Sequence, residues 1–396
     1  MPNKKKRLAV LVNVIAPYRL PILGALAEQF DTLVLHGGSE PNRTWTINLP
    51  QEVKSRRVFT LQIPLLKKTG VDGVMDTSYL HLNLGLIWWL IRFRPQIILS
   101  NEMGLRTIIA VLYGKLARVP VWVWWGGTLH SERNVTKTKK ILRGLLVKRI
   151  CRWLSYGAST TEYLESIGVP REQILQIQNC VPQEIFQVVP SEAPGWFKDS
   201  PHPVILTVGQ LLQRKGHDKL IEACGRLARR GAAFSLVIVG QGPEMKRLQA
   251  LAKESGIANF QIIPNQTQPV LNEIYRSADA FAFPTLEDVW GLVVNEAMWA
   301  GIPVLCSKYA GCATELLPES QIFDPLSAES FDQALAMVVA KSVRPSDCST
   351  LLPWQEVGAM ICRSLDSGVP INRDAHPEAS GEVHLSPCTI SQKGIC

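Results

Sequence analysis

Short runs of Val, Ile and Leu, apolar almost without interruption, recur along this chain, each followed by a longer stretch with the 3.6-residue period of an amphipathic helix. A strand with one wet face alternates polar and apolar side chains, so an unbroken apolar run means that both faces are covered. That pattern points to parallel sheets with helices on either side. Strands are expected at 7–15, 31–38, 57–63, 96–101 and 119–125, and again at 203–210, 234–242, 260–265, 278–285 and 302–307. Helical stretches such as "KLIEACGRLARRG" (219–231) and "EMKRLQALAKESG" (244–256) each end in a Gly suited to stopping a helix.

The alternation breaks at "VVPSEAPGWFKDSPHP" (188–203), which is crowded with Pro, Ser and charge and reads as a linker. The chain then divides into a domain at 1–187 and a second at 204–340, each a Rossmann-like, doubly wound α/β unit, with a cleft between them facing the carboxyl ends of both sheets. Residues 341–365 are expected to hold one last helix returning toward the first domain, and 366–396 to form a disordered tail. The longest apolar stretch, "LNLGLIWWLIRF" (82–93), is short of the roughly 20 residues a membrane span needs and reads as a buried or interfacial helix. The nine cysteines are scattered with no C-x-x-C pair, which argues against a structural zinc or dithiol motif and for a reducing, cytoplasmic setting. A net charge of +8 implies an anionic partner without choosing among phosphorylated substrates, lipid head groups and nucleic acid.

The stretch "EDVWGLVVNEAM" (287–298) narrows the choice. Here a helix is expected to begin near Gly291, so that the amides of Gly291, Leu292 and Val293 make an anion site reinforced by the helix dipole. Glu296 falls roughly 7–8 Å further along the axis, while Asp288 precedes the helix. Two acids flanking a phosphate site suit a sugar nucleotide, whose hydroxyls lie on both sides of a diphosphate. The plainer alternative makes Asp288 a helix cap and Glu296 a solvated residue. In "VGQLLQRKGHDKLIEA" (208–223), Gly209 and Gly216 bracket a loop that carries Arg214 and Lys215 to a strand's carboxyl end, where a fork and a point charge suit a diphosphate.

These two stretches, with "LVIVGQGPEMKRLQALA", resemble the donor domain of the retaining glycosyltransferases of family GT4, which have the GT-B fold. The resemblance covers about residues 203–340 strongly and the first half loosely. The family places seven residues between two acids, as between Asp288 and Glu296. It implies that Glu296 holds the donor ribose and Asp288 the donor hexose. The amides at 291–293, with Gly209, Arg214 and Lys215, would then hold the diphosphate of a nucleoside-diphosphate sugar, and no metal is required. This chain departs from the family in three places. Asp288 stands where Glu is usual, Gln210 where Arg often follows the strand-end Gly, and Pro264 where a Gly often lines the base pocket.

The first half is expected to hold the acceptor, a saccharide or a polyprenyl-linked one. "APYRLP" (16–21) offers Tyr18 and Arg19, the latter either facing an acceptor phosphate or simply opening a helix. "WWGGTLHSER" (124–133) places His130 where relatives have a cleft histidine near the anomeric centre, with Glu132 beside it. "KTKKILRGLLVKRICRWL" (137–154) reads either as a basic amphipathic helix lying on an anionic membrane or as a helix packed on the sheet with a wet basic face. The expectation is a hexosyltransferase acting in cell-surface polysaccharide or glycolipid synthesis, peripheral on the inner face of the cytoplasmic membrane. A nucleotide-sugar epimerase of the same two-domain fold and a non-catalytic basic membrane- or nucleic-acid-binding module remain as rivals. Against nucleic acid, the basic residues are not interleaved with aromatics in any recognition motif. No G-x-G-x-x-G follows a first strand, which disfavours a nicotinamide enzyme.

Overall fold

The computed structural model describes residues 4–38, 49–68, 75–83, 85–189 and 195–373. In the first half the strands are β1 (Arg7–Val12), β2 (Asp31–His36), β3 (Lys54–Arg57), β4 (Thr60–Lys68), β5 (Met75–Asn83), β6 (Ile97–Asn101), β7 (Val121–Trp125), β8 (Trp153–Ser155) and β9 (Ile174–Gln176). Seven of them form one sheet in the order β3-β2-β1-β6-β7-β8-β9, paired in parallel throughout. Strands β4 and β5 form a separate antiparallel ribbon. The helices of this half are α1 (Leu20–Gln29), α2 (Leu86–Phe93), α3 (Leu105–Ala117), α4 (Lys137–Val147), α5 (Ala158–Ser166) and α6 (Gln183–Gln187).

The second half is a six-stranded parallel sheet of β10 (Val204–Val208), β11 (Ser235–Val239), β12 (Phe260–Ile263), β13 (Ala280–Phe283), β14 (Val304–Ser307) and β15 (Ile322–Phe323), in the order β12-β11-β10-β13-β14-β15. Around it lie α7 (His217–Arg229), α8 (Met245–Glu254), α9 (Gln268–Ser277), α10 (Leu292–Trp299), α11 (Ala313–Leu316) and α12 (Ala328–Val339). Strand β11 shows why its sequence is apolar after Ser235. Val237 and Val239 enter one core and Leu236 and Ile238 another, so both faces are dry. Burying each such side chain contributes roughly 1.5–3 kcal/mol.

A final helix, α13 (Trp354–Ser367), crosses back from the second half and packs on α1. Gly358 lies against Ala25, and Lys6 pairs with Asp366 at 2.8 Å. The chain stays ordered beyond the start expected for a tail at 366. Asn372 accepts the Gln176 amide at 2.9 Å and extends the β9 edge, while 374–396 lie outside the described residues. Residues 190–194 of the expected linker lie outside them too.

Three element expectations are corrected. The strand expected at 57–63 is the end of β3 and the start of β4, which leaves the main sheet for the ribbon. The helix expected from 82 begins at Leu86. The basic helix expected over 137–154 ends at Val147, and Leu154 is a fully buried residue of β8. In each sheet the strand order reverses once, between β1 and β6 and between β10 and β13. The crevice outside the carboxyl ends at such a reversal is where open α/β sheets bind ligands.

Candidate active site

The turn after β13 and the loop after β10 are stitched together. The Arg214 carbonyl accepts the Leu286 amide at 2.8 Å, and the Arg214 guanidinium donates to the Glu287 carbonyl at 3.3 Å. This contact needs a glycine at 216. Its φ is +68°, and an added Cβ would lie 2.0 Å from the Pro284 carbonyl oxygen. Glycine is required again at Gly291, the N-cap of α10, where φ is +103° and a Cβ would meet the Phe283 ring at 2.7 Å. With no side chain capping α10, the first-turn amides at 291–293 are turned toward whatever lies ahead of the helix. Gly209 itself has ordinary space, its nearest neighbour being His217 at 3.7 Å.

Asp288 does not cap α10. One of its oxygens takes an ion pair from Lys215, and the other accepts the Trp290 amide at 3.2 Å. Burial alone would raise its pKa, but Lys215 and Arg214 outweigh that and hold it below the usual carboxylate range. Lys215 in turn sits 5.4 Å from the centroid of the Phe283 ring. Glu296 is not a solvated surface acid either. Tyr275, on α9 and wholly buried, donates its hydroxyl to Glu296 at 3.0 Å, and burial pushes the Glu296 carboxyl up to about 7. Two acids on one short segment therefore hold opposite electrostatic settings. Sequence reasoning missed Tyr275, because no local spacing ties a residue of α9 to the helix that carries Glu296.

His130 reaches across from the first half. Its Nε2 lies 2.9 Å from the Leu286 carbonyl oxygen, and its ring stacks on Tyr309 at 4.5 Å. Burial lowers its pKa, so it is neutral near pH 7. The two halves also meet at Trp290, two residues beyond Asp288. Its indole N–H donates to Asn295 at 2.9 Å, Asn295 donates to the Asn179 carbonyl at 3.2 Å, and its ring leaves no room for a Cβ at Gly157.

The other acceptor candidates are differently placed than expected. Glu132 does not line the cleft as a free acid; it forms an ion pair with the buried Arg143 at 2.7 Å. Arg143, expected on the wet face of a basic helix, is buried between Trp125 and Tyr163. Tyr18 is half-buried, and Arg19 is buried rather than projecting freely, its guanidinium donating to the Tyr156 hydroxyl. Among the described residues no cluster of His, Cys, Asp and Glu has the make-up of a metal site, and no helix is long and apolar enough to cross a membrane.

Residues 190–350 match the family model for glycosyl transferases group 1. Among characterised proteins, the chain is similar to a D-inositol 3-phosphate glycosyltransferase from Nocardia farcinica, 36% identical over 279 residues, covering 65% of this chain and 56% of that protein. The corresponding protein from Segniliparus rotundus is 25% identical over 240 residues, covering 55% of this chain and 53% of its own length. The chain thus spans about half the length of these relatives. Among solved structures, Anabaena HepE in complex with UDP and glucose superposes with a TM-score of 0.66 at 14% identity, over 91% of this chain and 100% of that one. The fold of the chain is GT-B, two parallel-sheet α/β domains.

Proposed function

We propose that this chain, whose residues 190–350 form a group 1 glycosyltransferase domain within a GT-B fold, transfers a hexose from a nucleoside-diphosphate sugar to a saccharide or lipid-linked saccharide, with retention at the anomeric carbon. The observation that carries the reading is the pair Asp288 and Glu296 flanking the uncapped start of α10, with Arg214 and Lys215 brought against it by the 213–216 turn. In this reading the amides at 291–293, with Gly209, Arg214 and Lys215, receive the diphosphate. Glu296 takes the ribose hydroxyls and Asp288 the hexose.

The bond between the anomeric carbon and the diphosphate breaks as the acceptor oxygen bonds to the same face. The leaving phosphate takes the acceptor's proton, so catalysis rests on cations held ready for the developing negative charge. Arg214 and Lys215 supply them, and the α10 amides add neutral N–H donors, without a metal. His130, neutral and fixed on the Leu286 carbonyl, stands beside the sugar end of that site. A closed cleft keeps water from the activated donor. Similarity to a phosphatidylinositol monomannoside mannosyltransferase and to an amylovoran biosynthesis glycosyltransferase supports an acceptor of that kind. Helix α4 presents exposed Ile141 and Leu145 beside exposed Lys137, Lys140 and Lys148, which suits a peripheral seat on the anionic inner face of a cytoplasmic membrane.

The test is a thermal-shift panel of UDP-, GDP- and ADP-sugars. One of them should raise Tm in the wild type, and Glu296→Ala should abolish the rise. A panel with no response would overturn the reading. Conversion of the donor alone into an isomerised sugar would move it to the epimerase class.

A further inference from the structure

Two arginines in the first half are buried among aromatic rings, and they differ in one respect. The Arg143 guanidinium lies 4.9 Å from the Trp125 ring centroid and 5.7 Å from that of Tyr163, and it is neutralised by Glu132 at 2.7 Å. Arg19 has a similar cage, at 4.9 Å from Trp124, 5.8 Å from Tyr18 and 5.9 Å from Tyr156. Its guanidinium donates to the Tyr156 hydroxyl and is also hydrogen-bonded with Tyr18, its Nε is buried without a hydrogen-bond partner, and among the described residues no acid lies within ion-pair distance of it. Glu102, whose field reaches Arg19, is instead hydrogen-bonded by Asn13 at 3.3 Å. A buried cation is costly unless an anion answers it, and five rigidly forked donors are poorly used on two neutral phenols.

Arg19 stands where a ligand can supply that anion. It ends the turn after β1, Trp124 belongs to the carboxyl end of β7, and Tyr156 follows β8, so the cage is built from strand ends at the cleft edge of the sheet. The residue after Tyr156, Gly157, is the one pressed against Trp290 of the donor half. The chain of contacts from Arg19 through Tyr156 and Gly157 reaches Trp290, two residues from Asp288. An anion held by Arg19 thus lies on the acceptor side of the proposed hexose position.

We propose that Arg19 is the anion-binding residue of the acceptor subsite, and that the acceptor carries an oxyanion, a phosphate or a carboxylate, forked by its guanidinium. The proposal rests on the glycosyl-transfer reading for the role of the bound molecule, and on the unanswered charge of Arg19 for the binding itself.

The experiment follows Tm of the full chain against inorganic phosphate and against glucuronate, with saturating UDP present to fill the donor diphosphate groups. In the wild type at least one of the two anions should raise Tm. Phosphate as the stronger ligand identifies a phosphorylated acceptor, and glucuronate an acidic sugar. In Arg19→Met, which keeps the length and loses the charge, the apparent affinity should fall at least tenfold. Arg19→Lys, which keeps the charge and loses the fork, should fall between the two and gives the comparison if the Met variant does not fold. Lack of response to both anions in the wild type, or equal responses in wild type and variants, overturns the proposal. If UDP itself fails to shift Tm, the donor reading has failed instead, and the anion arms are then run on Lys215→Met, where the expected dependence on Arg19 is unchanged.

Discussion

Glu296 is the residue whose setting most directly links stability to ligand binding. Burial raises its carboxyl to about 7, with the Tyr275 hydroxyl partly opposing that, whereas the unfolded chain would hold it near 4.5. The fold favours the protonated form, so its contribution is present at low pH and is lost as pH rises between about 4.5 and 7. Above that window the ionised carboxylate costs up to about 3 kcal/mol, at about 1.4 kcal/mol per pH unit of displacement. Glu296→Gln should therefore unfold at higher temperature than wild type at pH 8, with the gap closing toward pH 4.5. Donor affinity should move the other way. The proposed ribose hydroxyls donate to a carboxylate, so the wild type should bind UDP more tightly at pH 8 than at pH 6 while the Gln variant stays weak and flat. Thermal unfolding and UDP titration across that range check both signs. Asp288 and Glu296 were legible in the sequence because their separation is local and one helix start fixes both. The settings of Glu132 and Arg19 were not, because their outcomes depend on Arg143 and Tyr156, one of them more than a hundred residues away. A cation in a loop reads the same whether its partner is water, a core carboxylate or a ligand.

At the scale of elements, the sheets were legible because parallel strands buried on both faces are apolar along nearly their whole length, as β1, β10 and β11 are apart from Arg7, Thr207 and Ser235. The ribbon of β4 and β5 was not. Its strands mix polar and apolar residues, and Pro64 falls within β4, which argues against a central strand. Strands β8 and β9 are three residues each and carry too little pattern to stand out from their surroundings. The 213–216 turn was visible only as a basic loop, yet it is what braces the donor turn, through Gly216 packed on the Pro284 carbonyl. Gly216→Ala should cost at least about 2 kcal/mol, from a left-handed backbone and a clash that no side-chain rotation relieves, and should weaken UDP binding at least tenfold. Gly231→Ala is the matched control. Its φ of +82° carries the same backbone penalty, but nothing lies within 4 Å of the new methyl, so it should lose about 1 kcal/mol and bind UDP as wild type does. Denaturant titration and UDP affinity on the two variants separate strain from lost bracing.

The molecule as a whole is two domains that meet beside the proposed donor site. Glu315 of the second half accepts the Ala158 amide at 2.7 Å at the start of α5, where a carboxylate is favoured by the helix dipole, and is also reached by Gln178. Ser159 donates to the Gly311 carbonyl at 2.9 Å, and His130 bridges to Leu286 on the other flank. Helix α13 ties the two halves by packing on α1, and α6 does so by packing on α9 and α10. Gly157 is a point of close approach between the halves, because a Cβ there would lie 2.3 Å from the Trp290 ring and 2.5 Å from Glu315. Its φ of 160° is extended backbone open to any residue, so a substitution acts through the side chain alone. Gly157→Val should prise the cleft open without touching the groups proposed to hold the donor, all of which belong to the second half. UDP affinity should stay within about threefold of wild type, while transfer falls at least a hundredfold and small-angle scattering shows a larger radius of gyration. Adding Trp290→Ala to the same chain removes the ring that the valine strikes and should recover part of the compaction. A Gly157→Val protein that scatters and transfers like wild type would show that closure at this contact does not govern the reaction.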